Sequence, residues 1–128
     1  MHEVSICQAV IESLYRELFR RSIPARSVTR VVLAVGALRQ VVPDFMQEAF
    51  RTLTRDTELD HCELELKIVP VSLECSHCRC TFPCVRPTFR CPGCGSEQII
   101  IHGGDRITLE SFSVENGQPG GEDARRDA

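Results

Sequence analysis

Four cysteines of this chain stand in two pairs whose spacing could hold a metal ion. Cys75 and Cys78 form one Cys-x-x-Cys pair, and Cys91 and Cys94 form a second pair after twelve intervening residues. Each short pair turns two sulfur atoms toward a common point, and the intervening loop lets the pairs face each other. Zn2+ is the expected occupant, because a d10 ion accepts four tetrahedral thiolates without a ligand-field penalty. Since the protein fills all four positions, the spacing predicts a structural zinc site rather than a catalytic one.

Three more residues of the same region offer alternative ligands. They are His77, Cys80 and Cys84. One interpretation makes the two cysteines free thiols and His77 a solvent-facing residue. Another makes them a second site for a soft metal or for redox chemistry. The spacing alone leaves both interpretations open.

The N-terminus could form a different kind of metal site. The α-amine of Met1, the imidazole of His2 and the backbone amides of residues His2 and Glu3 lie within one chelate of each other. Amine, deprotonated amide and imidazole nitrogens favour a square-planar Ni2+ or Cu2+ ion. A lone histidine is ordinarily only a surface residue, so these three residues by themselves indicate a nickel site without establishing one.

Composition restricts the protein class. The chain has 128 residues, which suffices for one ordinary domain or for a small domain with a metal-stapled one. A net charge of −3 argues against a nucleic-acid partner. No apolar run reaches membrane-spanning length, and no basic region opens a signal peptide, so we expect a cytoplasmic protein without a membrane partner. Thiols stay reduced there, and the eight cysteines then indicate metal binding before disulfides.

Hydrophobic periodicity predicts the elements that position these residues. The expected order is helix 4–21, strand 28–36, helix 43–56, a strand within 62–75, a short strand at 98–101 and a strand at 106–114. Phe19 and Phe45 are expected on the buried faces of the two helices. The strand 28–36 carries apolar residues on both faces, which predicts coverage by helices on both sides.

Together these elements predict an α+β fold. Two helices pack on a small mixed three-stranded sheet, with an inserted zinc-knuckle subdomain that resembles a zinc ribbon. The expected boundaries are an α/β body at 1–70 plus 103–114 and a zinc-binding subdomain at 71–102. Residues 115–128 have almost no apolar content and are expected to be a disordered tail.

The combined motifs resemble a known family. The chain opens Met-His-Glu-Val-Ser-Ile, carries Val-Gly-Ala-Leu at 35–38, and has the cysteine knuckle ending Cys-Pro-Gly-Cys-Gly-Ser. It then runs Gly-Asp-Arg-Ile-Thr-Leu-Glu-Ser-Phe-Ser-Val-Glu at 104–115. This combination resembles the HypA/HybF family, the nickel metallochaperones of [NiFe]-hydrogenase maturation, over roughly residues 1–115.

The resemblance implies roles for the candidate residues. His2 would be the key nickel ligand, with Glu3 and the Met1 amine close by, which places the nickel on the α/β body. A structural zinc would be held by the knuckle residues Cys75, Cys78, Cys91 and Cys94. The family has no catalytic activity. It works with the GTPase HypB and passes nickel to the hydrogenase large-subunit precursor, and some members serve urease maturation. A monomer or a weak homodimer is expected.

The chain departs from the family pattern in a few places. Ala37 stands where the family commonly has Glu, and Arg39-Gln40 replaces Ser-Gly, which affects partner docking more than metal binding. Arg55-Asp56-Thr57 replaces a more glycine-rich connection. Two alternatives remain from the knuckle alone: a zinc-ribbon nucleic-acid or protein interaction module, and a rubredoxin-like iron electron carrier suggested by Cys91-Pro92-Gly93-Cys94-Gly95.

Overall fold

A computed structural model describes residues 2–85 and 90–115 and the backbone of residues 126–127. The helices and strands are α1 His2–Arg20, β1 Val28–Gly36, α2 Pro43–Thr54, β2 Glu63–Val69, β3 Val71–Cys75, β4 Thr81–Cys84, β5 Ile99–His102, β6 Ile107–Val114 and β7 Arg126–Asp127. Met1, residues 86–89, residues 116–125 and Ala128 lie outside the described residues, so the expected tail is largely outside them as well. None of the described helices is long and apolar enough to cross a membrane.

The strands form two sheets. The body sheet has the order β2-β1-β6-β7, in which β1 is parallel to β2 and antiparallel to β6. The second sheet has the order β4-β3-β5 and is antiparallel throughout. The predicted mixed three-stranded sheet is therefore the β2-β1-β6 part of the body, and the α+β fold class is confirmed. The zinc subdomain has a small sheet of its own.

Both helices cover the same face of the body sheet. Val31, Leu33 and Val35 of β1 are almost fully buried and belong to the core that α1 and α2 share. The opposite face carries exposed ion pairs, among them Arg30 with Glu65 at 2.7 Å. The prediction that helices cover β1 on both sides is therefore wrong. Charged side chains on β1 and the adjoining strands leave this face exposed to solvent, and the small apolar side chains of Val32 and Ala34 there are half-buried.

The helix boundaries and faces differ in part from the predictions. Helix α1 begins at His2, inside the segment that was expected to precede it. Phe19 and Phe45 were expected in the core, but 89% and 60% of their surface is exposed. In α1 the buried position goes instead to Glu17, whose carboxylate bonds to Arg20 and to Nε of Arg21. Paired in this way, a charged side chain can be buried.

Pro70 separates the two sheets. The single strand predicted within 62–75 consists of β2 in the body sheet and β3 in the zinc subdomain, joined at this residue. Proline has no backbone N–H to donate to a ladder, so one continuous central strand through this position is unfavourable. The chain can instead change sheets here.

The zinc subdomain rests on the body where two backbone segments cross. The N–H of Gly36 donates to the carbonyl of Arg106 at 2.8 Å, and the N–H of Leu38 donates to that of Gly104 at 2.7 Å. A Cβ atom built at Gly36 would lie 2.2 Å from the Gly104 oxygen. Ala37 lies beside this crossing and packs into the small core of the zinc subdomain. These close backbone contacts therefore fix the position of the zinc subdomain against the body.

Candidate metal centre

The four predicted zinc cysteines come together in space. The Sγ atoms of Cys75, Cys78, Cys91 and Cys94 all lie within 4.8 Å of one another. Two of the separations, Cys75 to Cys94 and Cys78 to Cys91, are 3.6 Å. A tetrahedron with Zn–S bonds of about 2.3 Å has edges of about 3.8 Å. The cluster therefore has the size and the donor set of a four-thiolate zinc site.

Two turns of the same design build this cluster. In the first, the N–H of Arg79 donates to the carbonyl of Cys75 at 2.8 Å. In the second, the N–H of Gly95 donates to the carbonyl of Cys91, also at 2.8 Å. Both donors have left-handed backbone conformations, with φ of 67° at Arg79 and 77° at Gly95. A non-glycine residue in that region costs about 1–3 kcal/mol, so the first turn holds strain that the second avoids.

Backbone N–H groups of these turns point at the sulfur atoms. Cys78 donates its N–H to Sγ of Cys75 at 3.4 Å, and Gly93 donates to Sγ of Cys91 at 3.3 Å. The bond from Cys78 is the main cause that lowers the pKa of Cys75 to about 6. The pKa of Cys91 is also lowered, chiefly by the N–H of Cys94. Each turn thus favours the thiolate, the metal-binding form of cysteine, at its first cysteine, whereas hydrogen-bonded neighbouring thiols raise the pKa of the second cysteines, Cys78 and Cys94.

The first cysteine of each pair is buried and the second is more accessible. Cys75 and Cys91 keep 0% and 2% of their surface exposed. Cys78 is half-buried and Cys94 is exposed. The cluster therefore lies at the edge of the subdomain. Its two buried cysteines, Cys75 and Cys91, attach it to the interior, while Cys78 and Cys94 lie nearer to solvent.

The remaining candidates of this region stay out of the cluster. Cys80 and His77 are exposed, and Cys84 is half-buried against the small subdomain core. His102 lies on β5, where its Nε2 is 3.0 Å from Oε1 of Glu74. Among the described residues, the four-sulfur cluster is the one group with metal-ligand geometry.

Two further cysteines are core residues. Cys7 is 1% exposed, and its thiol lies 3.4 Å from the Met46 sulfur. Burial raises the pKa of Cys7 to about 11 and that of Cys62 to about 12. These thiols are inert at neutral pH, as the position of Cys7 on the apolar face of its helix predicted.

His2 stands exposed in the first turn of α1, while Met1 lies outside the described residues. Glu3 is 9% exposed, and its Oε2 accepts the backbone N–H of Val42 at 3.1 Å. This bond is the main cause that lowers the pKa of Glu3. The first N–H groups of an α-helix have no acceptor within the helix, so the amides of His2 and Glu3 make no bond to a preceding turn. The exposed first turn thus offers an imidazole and two amide nitrogens.

Sequence reasoning missed the role of Val42. An acidic residue in the first turn of a helix ordinarily suits the helix dipole, and nothing at position 3 indicates a partner 39 residues away. The signal lies at the other end of the bond, because Val42 caps the N-terminus of α2 and its backbone N–H needs an acceptor.

Comparisons with known proteins cover about nine-tenths of the chain. A family model described as "HypA: Hydrogenase/urease nickel incorporation, metallochaperone, hypA" matches residues 1–114. The chain is 37% identical to "Hydrogenase maturation factor HypA" of Geobacter metallireducens, over 90% of this chain and 100% of that protein. The protein of the same name from Aquifex aeolicus is 33% identical, over 90% of this chain and 98% of its own.

Two solved structures have a similar fold. One is the solution structure of the Ni metallochaperone HypA from Helicobacter pylori, with a TM-score of 0.57 and 24% identity. It covers 89% of this chain and 97% of its own. The other, titled "Solution structure of HypA protein", has a TM-score of 0.59 with 24% identity and covers 89% of this chain and 96% of its own. At this identity the likeness concerns the fold alone.

Proposed function

The chain belongs to the HypA family of hydrogenase and urease nickel-incorporation metallochaperones, and on that basis we propose that it binds Ni2+ at its N-terminus and delivers the ion to the [NiFe]-hydrogenase large-subunit precursor. Nickel is the cargo and zinc is the structural metal. The family match from residue 1 to residue 114 carries this proposal, because it includes both the N-terminal residues and the cysteine knuckle.

The nickel ligands we propose are the Met1 amine, the His2 imidazole and the backbone nitrogens of His2 and Glu3. The carboxylate of Glu3 is the less suitable donor, because it already accepts the N–H of Val42. Its part is to hold the first helical turn in place. Amine, amide and imidazole nitrogens together provide the donors that square-planar Ni2+ prefers.

The exposure of His2 supports a carrier role. A protein that hands over its metal must let the acceptor approach the ion, and ligand exchange at an exposed helix terminus is open to a partner. The zinc cluster has the opposite property, since Cys75, Cys78, Cys91 and Cys94 leave no position free. Thiolates and nitrogen donors also differ in softness, so the two sites keep their metals apart.

The zinc-bound knuckle holds the subdomain together. Its sheet buries only a few apolar side chains, with Val71 and Leu73 at the centre. Metal binding therefore supplies much of the folding free energy of this part, on the order of 10 kcal/mol in apparent terms. We propose a body of residues 1–70 and 103–114, a zinc subdomain of residues 71–102 and a tail of residues 115–128.

The protein acts by binding and transfer as a maturation factor. We propose that it is not an enzyme, that it works in the cytoplasm with a HypB-type GTPase, and that it can also serve urease maturation. The family match favours this function over a nucleic-acid module or a rubredoxin-like carrier. The net charge of −3 likewise speaks against nucleic acid.

Calorimetric titration with Ni2+ tests the nickel site. The zinc-loaded chain with its native N-terminus is compared with His2→Ala and with a variant extended by one N-terminal glycine. Both changes should weaken nickel binding by about 100-fold or more, since each removes or displaces a direct ligand. His61→Ala is the matched control, because His61 is exposed in the loop before β2 and should bind nickel normally. Undiminished affinity in His2→Ala would refute the proposed site.

A further inference from the structure

A fifth cysteine, Cys80, lies beside the zinc cluster without belonging to it. Its backbone carbonyl accepts the N–H of the ligand Cys75 at 2.9 Å. Its backbone N–H donates to Sγ of Cys78, and its thiol is hydrogen-bonded to the thiol of the same residue. The side chain of Cys80 is itself exposed. A fifth thiol therefore contacts one of the four zinc ligands from a position that solvent reaches.

The second cysteine turn has the same backbone bonds but carries a serine at the matching position. There the N–H of Cys91 donates to the carbonyl of Ser96 at 2.8 Å, and the N–H of Ser96 donates to Sγ of Cys94. Both bonds match those that Cys80 makes in the first turn. The backbone role of this position is therefore filled by a cysteine in one turn and by a serine in the other, so it does not itself require a thiol.

We propose that Cys80 is an alternative zinc ligand, which can take the place of Cys78 as the fourth donor of the site. The proposal concerns the zinc site and stands whether or not the chain binds nickel.

The chemistry of the exchange leaves the ion in the same environment. Cys80 gives up its thiol proton as it binds, and Cys78 takes up a proton as it leaves, so the numbers of protons and thiolates are unchanged. The donor set is again four thiolates, which tetrahedral Zn2+ accepts. Since both donors are cysteine sulfurs, the softness of the site and its charge stay the same as well.

The geometry of the first turn makes Cys78 the ligand that is exchanged. Cys75 is 0% exposed and belongs to the interior, whereas Cys78 is half-buried. Arg79 separates Cys78 from Cys80 and has a φ of 67°, a left-handed conformation that turns the chain between them. The two thiols already touch, so a change of side-chain rotamer, with little backbone movement, suffices to bring the second sulfur toward the ion.

Neither Ser96 nor Cys84 offers the same replacement. A serine hydroxyl is not among the usual zinc ligands, and Oγ of Ser96 already accepts the N–H of Gln98 at 3.1 Å. Cys84 lies at the far end of β4, opposite Val71, and packs against the small core of the subdomain. Loss of Cys94 should therefore leave the site with three sulfur donors, whereas loss of Cys78 should leave it with four.

Cys78→Ser tests the proposal, with Cys94→Ser as the matched control. Each variant replaces the more accessible cysteine of one pair by the same residue. Metal analysis of the full chain gives the zinc content, and competition with a chromophoric zinc chelator gives the affinity. Cys78→Ser should keep one zinc per chain and lose less than about 10-fold in zinc affinity, while Cys94→Ser should lose more than about 100-fold. Equal zinc affinity in the two variants overturns the proposal.

Two double variants identify the replacing donor. Cys78→Ser/Cys80→Ser should bind zinc as weakly as Cys94→Ser, because the first turn then has one thiol left. Cys78→Ser/Cys84→Ser should bind zinc like Cys78→Ser alone. Zinc affinity that stays high in Cys78→Ser/Cys80→Ser overturns the proposal, because a different group then completes the site.

Alkylation shows directly whether Cys80 binds the ion. In the zinc-loaded wild type its exposed thiol should react with iodoacetamide, as detected by mass spectrometry. In zinc-loaded Cys78→Ser the labelling of Cys80 should be lost, because a zinc-bound sulfur is shielded from the reagent, and removal of zinc with a chelator should restore it. Labelling of Cys80 that is as fast in zinc-loaded Cys78→Ser as in the wild type overturns the proposal.

Discussion

The backbone N–H of Val42 donates to Oε2 of Glu3 at 3.1 Å and so ties the start of α2 to the first turn of α1. Val42 precedes Pro43, the first residue of α2, and a carboxylate at a helix N-terminus interacts favourably with the helix dipole. One bond therefore satisfies an N–H of one helix and fixes the residue next to His2 in the other. The proposed nickel residues therefore lie at the N-terminus of α1, which the bond between Glu3 and Val42 holds against α2.

Glu3→Ala should lower the thermal stability of the protein, because the N–H of Val42 loses its acceptor. The bond from Val42 lowers the pKa of Glu3, so the contribution of this carboxylate is complete above its unfolded-state pKa of about 4.3. It is lost as the pH falls through the lower folded-state pKa. The difference in melting temperature between wild type and Glu3→Ala should therefore stay the same between pH 6 and pH 8 and shrink below about pH 4.

Glu3→Gln is the control for this bond. Its amide oxygen can still accept the N–H of Val42 but carries no charge, so its stability at neutral pH should lie between the other two. If the difference in melting temperature between wild type and Glu3→Ala stays the same down to pH 3, the ionisation of this carboxylate contributes nothing to stability.

Cys91→Ser should remove the structural zinc and unfold the zinc subdomain. Cys91 is 2% exposed and receives the N–H of Gly93, so serine leaves three thiolates and no comparable fourth donor. Metal analysis should find less than one zinc per chain, and circular dichroism should show lost strand signal with the helices retained. Cys80→Ser, an exposed cysteine of the same region, should keep one zinc and normal melting.

The sequence predicted the elements better than it predicted their exposed faces. Strand β1 has the predicted bounds of 28–36, because a run of β-branched residues ends at a glycine that starts a turn. The exposure of Phe19 and Phe45 could not be predicted from helical periodicity. Which side of a helix meets the sheet depends on tertiary contacts, and in α1 the arginine-paired Glu17 takes a buried position.

Local spacing was sufficient for the zinc cluster but not for the surroundings of the nickel residues. Two short cysteine pairs specify their own turns, and all four sulfurs meet as expected. The bond between Glu3 and Val42 joins segments about forty residues apart. Such a contact exists only once α1 and α2 have packed together, and no local pattern encodes it.

Alkylation should distinguish the cysteines by burial. Burial raises the pKa of Cys7 to about 11 and that of Cys62 to about 12, so less than about 0.1% of either thiol is ionised at pH 7.5. Cys80 is exposed and outside the four-sulfur cluster. In zinc-loaded protein treated with iodoacetamide, mass spectrometry should find Cys80 modified first and the two core thiols unmodified. Labelling of Cys62 at the rate of Cys80 would contradict the burial of Cys62 in the core of the body.

Gly36→Ala should destabilise the protein by about 1–3 kcal/mol or more, because the added Cβ has no room. It would lie 2.2 Å from the carbonyl oxygen of Gly104, and both backbones at this crossing are held by hydrogen bonds. Gly93→Ala is the control for adding one methyl group, since its Cβ would meet only Sγ of Cys91, at 3.7 Å. Urea unfolding followed by circular dichroism measures both variants. If Gly36→Ala and Gly93→Ala had equal unfolding midpoints, the backbones of Gly36 and Gly104 could move apart at little energetic cost. The contact between the zinc subdomain and the body would then be less rigid than these backbone hydrogen bonds imply.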